Sequence, residues 1–146
     1  GIVSYNMLDE DVERFMRQPW TMTSSDGGLV QRGDGVPHPR NYGAFPRKLG
    51  WYARDQEVID LGFAVRSMTQ LSASVMGLPN RGRIQPGAAA DLVVFDLDDV
   101  HDSATFRAPH QLSEGMVHVL VNGRLAIHDG TFTEARLGRV LSLRSE

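Results

Sequence analysis

This chain has 146 residues, a formal net charge of −3, 41% apolar and 23% charged residues, and no cysteine. That is the make-up of an ordinary globular protein; it excludes a disulfide framework and a cysteine-based zinc site, and the chain is too short for a closed eight-stranded α/β barrel, which takes about 250 residues. Positive charge is not clustered, so a nucleic-acid partner is not expected; no apolar run nears the ~20 residues of a membrane span, and residues 1–20 lack a signal-peptide pattern, which points to no membrane and a cytoplasmic location.

From Gly1 the chain enters an apolar–polar alternation at once (Ile2, Val3, Ser4, Tyr5), as though cut from a longer protein or processed out of one. Ile2 to Met7 reads as a short strand. Asp9 reads as the N-cap of a helix with Glu10, Asp11 and Glu13 in its first turn, Arg14 and Arg17 in its last, and Pro19 as its stop. Trp20 to Thr23 reads as a short buried strand leading into Ser24-Ser25-Asp26-Gly27-Gly28. Residues 27–46, with Gly33, Gly35, Pro37, Pro39 and Pro46, read as a long functional loop. Apolar Val58, Leu61, Val65 and Met68 predict a helix over 57–68, and Thr69 predicts a cap for a short helix after it. From Gly82 the texture changes to strands and turns: Leu92 to Phe95, then a hairpin of Val117–Val121 and Arg124–His128 around Asn122-Gly123, then an edge strand over 131–134. The boundary falls near residues 79–91, giving parts 1–81 and 82–146.

Asp26 follows bulky residues and precedes two glycines. On its own the triplet reads first as a turn. At the end of a barrel strand, however, a carboxylate faces the active site, where it takes a proton from an attacking water and returns it to a leaving amine. The sequences around it favour that second role. Ser25-Asp26-Gly27, the run HPRNYGAFPRKLG from His38, GRIQPGAAADLVVFD from Gly82, HDSATFRAPHQLSEG from His101 and Val119-Leu120-Val121-Asn122-Gly123 together resemble the N-acyl-D-amino-acid deacylase (D-aminoacylase) branch of the amidohydrolase superfamily. The resemblance covers nearly the whole chain. It implies an α/β fold: the C-terminal strand–helix units of a (β/α)8 barrel followed by part of a small β-sandwich domain.

The resemblance further implies a zinc-dependent hydrolase of N-acyl-D-amino acids. In it Asp26 activates the hydrolytic water and Arg40 grips the substrate carboxylate, a task that suits a guanidinium. Gly27 and Gly28 lie against the substrate. The zinc ligands of the family have no counterpart here. The histidines are His38, His101, His110, His118 and His128, and none shows the H-x-H or H-E-x-x-H spacing. His118 and His128 fall on facing strands of the hairpin, where hydrogen-bonded or solvated histidines are commoner than ligands. No metal ligand is therefore assigned, and the chain alone is expected to lack deacylase activity. Its expected partners are the substrate and the remainder of the barrel, or another copy of itself. A related amidohydrolase acting on a cyclic or different linear amide, or a non-catalytic scaffold, is the alternative. Trp20 and Trp51 are expected to pack, Arg81 and Arg83 to form surface ion pairs, Asp98, Asp99 and Asp102 to form a solvated acidic turn, and Asp91 to hold the crossing between the two parts through backbone amides.

Overall fold

The computed structural model describes residues 6–141. Helices come first: α1 (Asp9–Met16), α2 (Arg40–Arg47), a π-helix (Lys48–Asp55), α3 (Leu61–Met68) and α4 (Gln70–Val75). An antiparallel sheet follows, built in chain order from β1 (Leu92–Phe95), β2 (Met116–Val121), β3 (Arg124–His128) and β4 (Thr131–Phe132). The chain is α/β with its sheet in the second part. No helix among the described residues is long and apolar enough to cross a membrane.

Most of the first expected strand lies outside the described residues, and Asn6 and Met7 are not in a strand. Residues 21–30 form no strand either. A strand needs a ladder partner, and none of the described residues runs beside this segment as one. It is nevertheless extended in pattern. Thr21, Thr23 and Ser25 are partly buried, while Met22, Ser24 and Asp26 are exposed, the two-residue alternation of a strand with one covered face. Thr23 N–H donates to Ser67 O at 3.1 Å, pinning the covered face to α3.

The expected loop over 27–46 contains a helix at its end, α2. Pro46 hides it in the sequence, since proline inside a helix removes the bond to the carbonyl four residues back. That carbonyl belongs to Tyr42, and Ser113 Oγ supplies the missing donor at 2.7 Å. α3 begins at Leu61, later than its apolar spacing suggested, because Asp60 caps it: Oδ1 accepts from Phe63 N–H at 2.8 Å. Val58 and Ile59 then enter the core ahead of the helix, 9% and 8% exposed. Thr69 occupies the N-cap position of α4 but makes no side-chain cap; its hydroxyl donates back to Val65 O. Leu8, not Asp9, is the N-cap of α1.

The hairpin forms where Asn-Gly predicts it. Asn122 and Gly123 have φ of 51° and 78°, both left-handed as a type I′ turn requires. The edge strand is shorter than its composition suggested, Thr131–Phe132.

The core joins both parts of the chain. Leu49, Val58, Ile59 and Ala64 surround Val100, which is fully buried. Gly50 makes the approach possible, since a Cβ there would collide with Val100 O. Arg54 Nη1 then donates to the carbonyls of Leu97, Asp98 and Val100 at 2.6, 2.9 and 3.0 Å. Just before β1, Asp91 accepts from Asn122 N–H at 2.8 Å and pairs with Arg81, whose other terminal nitrogen donates to Asn122 Oδ1 at 3.2 Å. The Arg81 side chain is only 11% exposed, so it is a structural tie and not the surface ion pair its composition suggested; Arg83 is exposed. Trp20 and Trp51 are 71% and 42% exposed and are not core residues of this chain.

Candidate functional site

Asp26 ends the extended run. Its φ of 47° is left-handed, a region that aspartate enters more readily than most residues. Ser24 Oγ and Ser25 Oγ accept from the N–H groups of Asp26 and Gly27 at 3.3 and 3.2 Å, which holds the bend locally. The alternation places Asp26 on the open face with Met22 and Ser24, its side chain 82% exposed. There Oδ2 meets Arg40 Nη2 at 2.8 Å. Arg40 is the first residue of α2, so helix formation brings the two sequence-predicted site residues together.

Gly27 lies against α2, where a Cβ would approach Asn41 Cα at 3.1 Å. Gly28 faces open space, and its carbonyl accepts from Asn41 Nδ2 at 3.0 Å. Thus one of the two glycines serves helix contact and the other leaves room beside Asp26.

Before Arg40, His38 Nδ1 accepts from Arg40 N–H at 3.1 Å, which leaves the proton on Nε2. Burial and the adjacent Arg40 charge lower the pKa of the imidazole from its ordinary value, with Asp26 opposing. His38 is therefore neutral at pH 7. Its ring meets Phe106 edge-on at 4.9 Å. His38, Arg40, Arg47, Asp102 and Phe106 line a cavity of about 350 Å³. Asp102 is not part of a solvated turn: its side chain is 14% exposed and pairs with Arg47 at 3.2 Å. Gly43 allows this, since a Cβ there would stand 2.5 Å from Asp102 Cβ.

Lys48 reaches the segment that leads into Asp26. It is 4% exposed, and Nζ donates to Thr23 Oγ1 at 2.6 Å. Burial lowers its pKa to about 8. Ser67, fully buried, continues the network with Oγ donating to Ala64 O at 2.8 Å. The π-helix and α3 together hold the residue three positions before Asp26.

Two polar residues to which the sequence assigned no role also bear on the site. His110 Nδ1 lies 2.8 Å from Tyr42 Oη and accepts from Gly33 N–H at 3.2 Å, while Nε2 lies 3.1 Å from Gly35 O. Ser113, through the Tyr42 carbonyl, holds the other end of that tyrosine. Both lie in the run from His101 to Gly115, about seventy residues from the partners they bind, and no periodicity or short spacing links the two stretches. Only the folded chain reveals the contacts.

His118, His128 and Asp129 bring their ligand-type atoms within 4.8 Å of one another, the rings 5.2 Å apart. However, Asp129 N–H donates to His118 Nδ1 at 3.2 Å. That assigns the proton to Nε2, the nitrogen 3.6 Å from the Asp129 carboxylate. His118 is thus already hydrogen-bonded to the Asp129 backbone, and its ligation through Nε2 would require the other tautomer.

The chain matches the amidohydrolase family profile over residues 6–127. An N-acyl-D-glutamate deacylase of Alcaligenes xylosoxydans xylosoxydans is 44% identical over 97% of this chain, which spans 28% of that protein. A D-aminoacylase of known structure superimposes with TM-score 0.85 at 46% identity, over 92% of this chain and 28% of that one. An N-acyl-D-glutamate deacylase from Bordetella bronchiseptica, solved with zinc and a phosphonate mimic of the tetrahedral intermediate, gives TM-score 0.82 at 43% identity, again over 92% of this chain and 28% of that one. The chain thus spans little more than a quarter of the proteins it matches, and over that stretch it belongs to the amidohydrolase family.

Proposed function

We propose that this chain is the proton-transfer and carboxylate-binding segment of an N-acyl-D-amino-acid deacylase. The carrying observation is the meeting of Asp26 and Arg40 at 2.8 Å on the open face of the extended run. On this reading residues 1–81 end the catalytic barrel and residues 82–146 form part of the small β-domain. The remainder of the barrel, from the same protein or a companion chain, covers the exposed face that carries Met22 and Trp20.

The relatives' names and the zinc in one of them support a metal-dependent amide hydrolase. The described residues do not gather a ligand set at Asp26: its charged neighbour is the Arg40 cation, and the His118 cluster belongs to the hairpin. The reading therefore assigns the metal to residues outside this chain, and leaves to this chain the proton and the substrate charge.

Arg40 binds the free α-carboxylate of the substrate. A guanidinium holds a carboxylate by two parallel bonds, and Arg40 is already paired with the Asp26 carboxylate at 2.8 Å. The substrate carboxylate thus competes with Asp26 for Arg40, and binding releases the Asp26 carboxylate for chemistry. Asp26 then takes a proton from the water attacking the acyl carbon. It returns that proton to the nitrogen as the C–N bond breaks, giving the free carboxylic acid and the D-amino acid. His38, neutral, holds the Arg40 backbone and does not compete for the substrate charge. Lys48, through Thr23, keeps the Asp26 segment in place.

The test uses the complete deacylase that contains this chain, with N-acetyl-D-methionine as substrate. Asp26→Asn is expected to lower kcat by at least about a thousandfold, the scale of losing a general base together with its charge. Arg40→Met is expected to raise KM about a hundredfold. Retained turnover in Asp26→Asn would overturn the assignment.

A further inference from the structure

We propose that His110 is a positioning residue of this site: it fixes the loop that follows Gly28 and, with it, the selectivity for the substrate's acyl or side chain. This rests on the deacylase reading for its substrate, but its geometry stands apart from it. His110 comes from the second part of the chain, and its two ring nitrogens engage three partners in the first part.

The hydrogen bonding assigns one tautomer. Gly35 O is only an acceptor, so Nε2 carries the proton and donates to it at 3.1 Å. Nδ1 then accepts, from Gly33 N–H at 3.2 Å and from the Tyr42 hydroxyl at 2.8 Å. A neutral imidazole meets all three contacts, the single Nδ1 lone pair being shared between Gly33 N–H and the Tyr42 hydroxyl, and no other natural side chain offers a donor and an acceptor at those two positions on a rigid ring. The ring also meets Tyr42 edge-on, 5.7 Å between centroids.

The partners are the parts of the loop that need fixing. Gly33 and Gly35 have φ of 95° and 63°, both left-handed, and the loop's own backbone supplies little else: Asp34 N–H to Gln31 O at 3.1 Å is a single turn. Without an outside tether such a loop has many conformations. The loop leaves directly from Gly28, whose carbonyl is tied to Asn41 on α2. Tyr42 lies two residues after Arg40 on the same helix. His110 therefore couples the loop to the helix that presents the carboxylate-binding arginine. The loop displays Leu29 and Val36 almost fully to solvent, 106% and 81% exposed. Leu29 follows Asp26 by three residues, and on this inference these exposed apolar groups serve the apolar portion of a ligand whose carboxylate Arg40 holds.

The ring geometry supplies its own test. In the complete protein, His110→Asn returns an acceptor near the Nδ1 position, His110→Gln returns a donor near the Nε2 position, and His110→Phe returns neither. Steady-state kinetics on N-acetyl-D-alanine, N-acetyl-D-methionine and N-acetyl-D-phenylalanine are paired with amide hydrogen exchange of residues 31–36. His110→Phe is expected to raise KM about tenfold, with kcat changed less than about threefold, since a loop that orders on binding weakens binding more than chemistry. It is also expected to narrow the preference among the three substrates and to speed exchange of the loop amides about a hundredfold. His110→Asn and His110→Gln are expected to recover part of each effect, and Tyr42→Phe combined with His110→Phe to do less harm than the sum of the two. Unchanged selectivity and unchanged loop exchange in a folded His110→Phe protein would overturn the inference while leaving the deacylase reading intact. If the parent protein does not hydrolyse these substrates, the deacylase reading fails, and the exchange measurement still decides whether His110 holds the loop.

Discussion

Lys48 offers the sharpest physical test of the folded arrangement. An ammonium that is 4% exposed and bonded to a hydroxyl costs stability, and burial lowers its pKa from 10.5 to about 8. The unfolded chain keeps this proton up to about pH 10.5, while the folded one releases it near 8. Between those values the unfolded state binds more protons, so stability rises with pH. Below pH 8 the folded state carries the whole penalty, roughly 2.5 pH units at about 1.4 kcal/mol each, or about 3–4 kcal/mol. Above pH 10.5 the penalty is gone. Lys48→Met keeps the unbranched stem and removes the charge, at the loss of one bond to Thr23 worth about 1 kcal/mol. The variant is therefore expected to be about 2 kcal/mol more stable at pH 7 and to lose that advantage by pH 10.5. Urea unfolding of the complete protein and its Lys48→Met variant at pH 7, 9 and 10.5 measures the difference, and effects common to both proteins cancel. A difference that stays flat with pH would refute the reasoning. So would a Lys48→Met protein that is about 3 kcal/mol less stable at pH 7, which would reveal a carboxylate from elsewhere paired with the ammonium.

Other expectations rest on single contacts. Ser113→Ala leaves Tyr42 O without its donor and is expected to cost about 1–2 kcal/mol; in a Pro46→Ala background the helix regains its own N–H and the same change should cost less than half as much by chemical denaturation. Asp91→Ala strips Arg81 of its carboxylate and Asn122 N–H of its acceptor, and is expected to lower stability by about 2–3 kcal/mol, with a matching fall in Tm. Gly43→Ala places a methyl 2.5 Å from Asp102 Cβ and is expected to cost about 1–3 kcal/mol by overpacking; a crystal structure of the variant should show the Arg47–Asp102 pair displaced.

The strongest local rules were legible before folding. Asn122-Gly123 specifies a left-handed two-residue turn, and the hairpin follows from it. The apolar run Leu92–Phe95 was enough to mark β1. Asp26 and Arg40 were nameable because each lies in a short run of recognisable order.

The rest depended on distant partners. α2 is a poor helix by propensity, with a glycine and a proline inside it, and it persists because Ser113, His110 and Asp102 bind it from the second part of the chain. The segment before Asp26 has the alternation of a strand without a ladder, since laddering needs neighbours that sequence order cannot supply. The sequence by itself thus determined the α/β texture and the hairpin, because those rest on patterns within a few positions, and its family resemblance singled out Asp26 and Arg40 as candidates. Tertiary structure decided that Asp26 meets Arg40, that buried Lys48 bonds Thr23 and that His110 contacts Gly33, Gly35 and Tyr42, because each contact joins residues well separated in sequence that only the folded chain brings together.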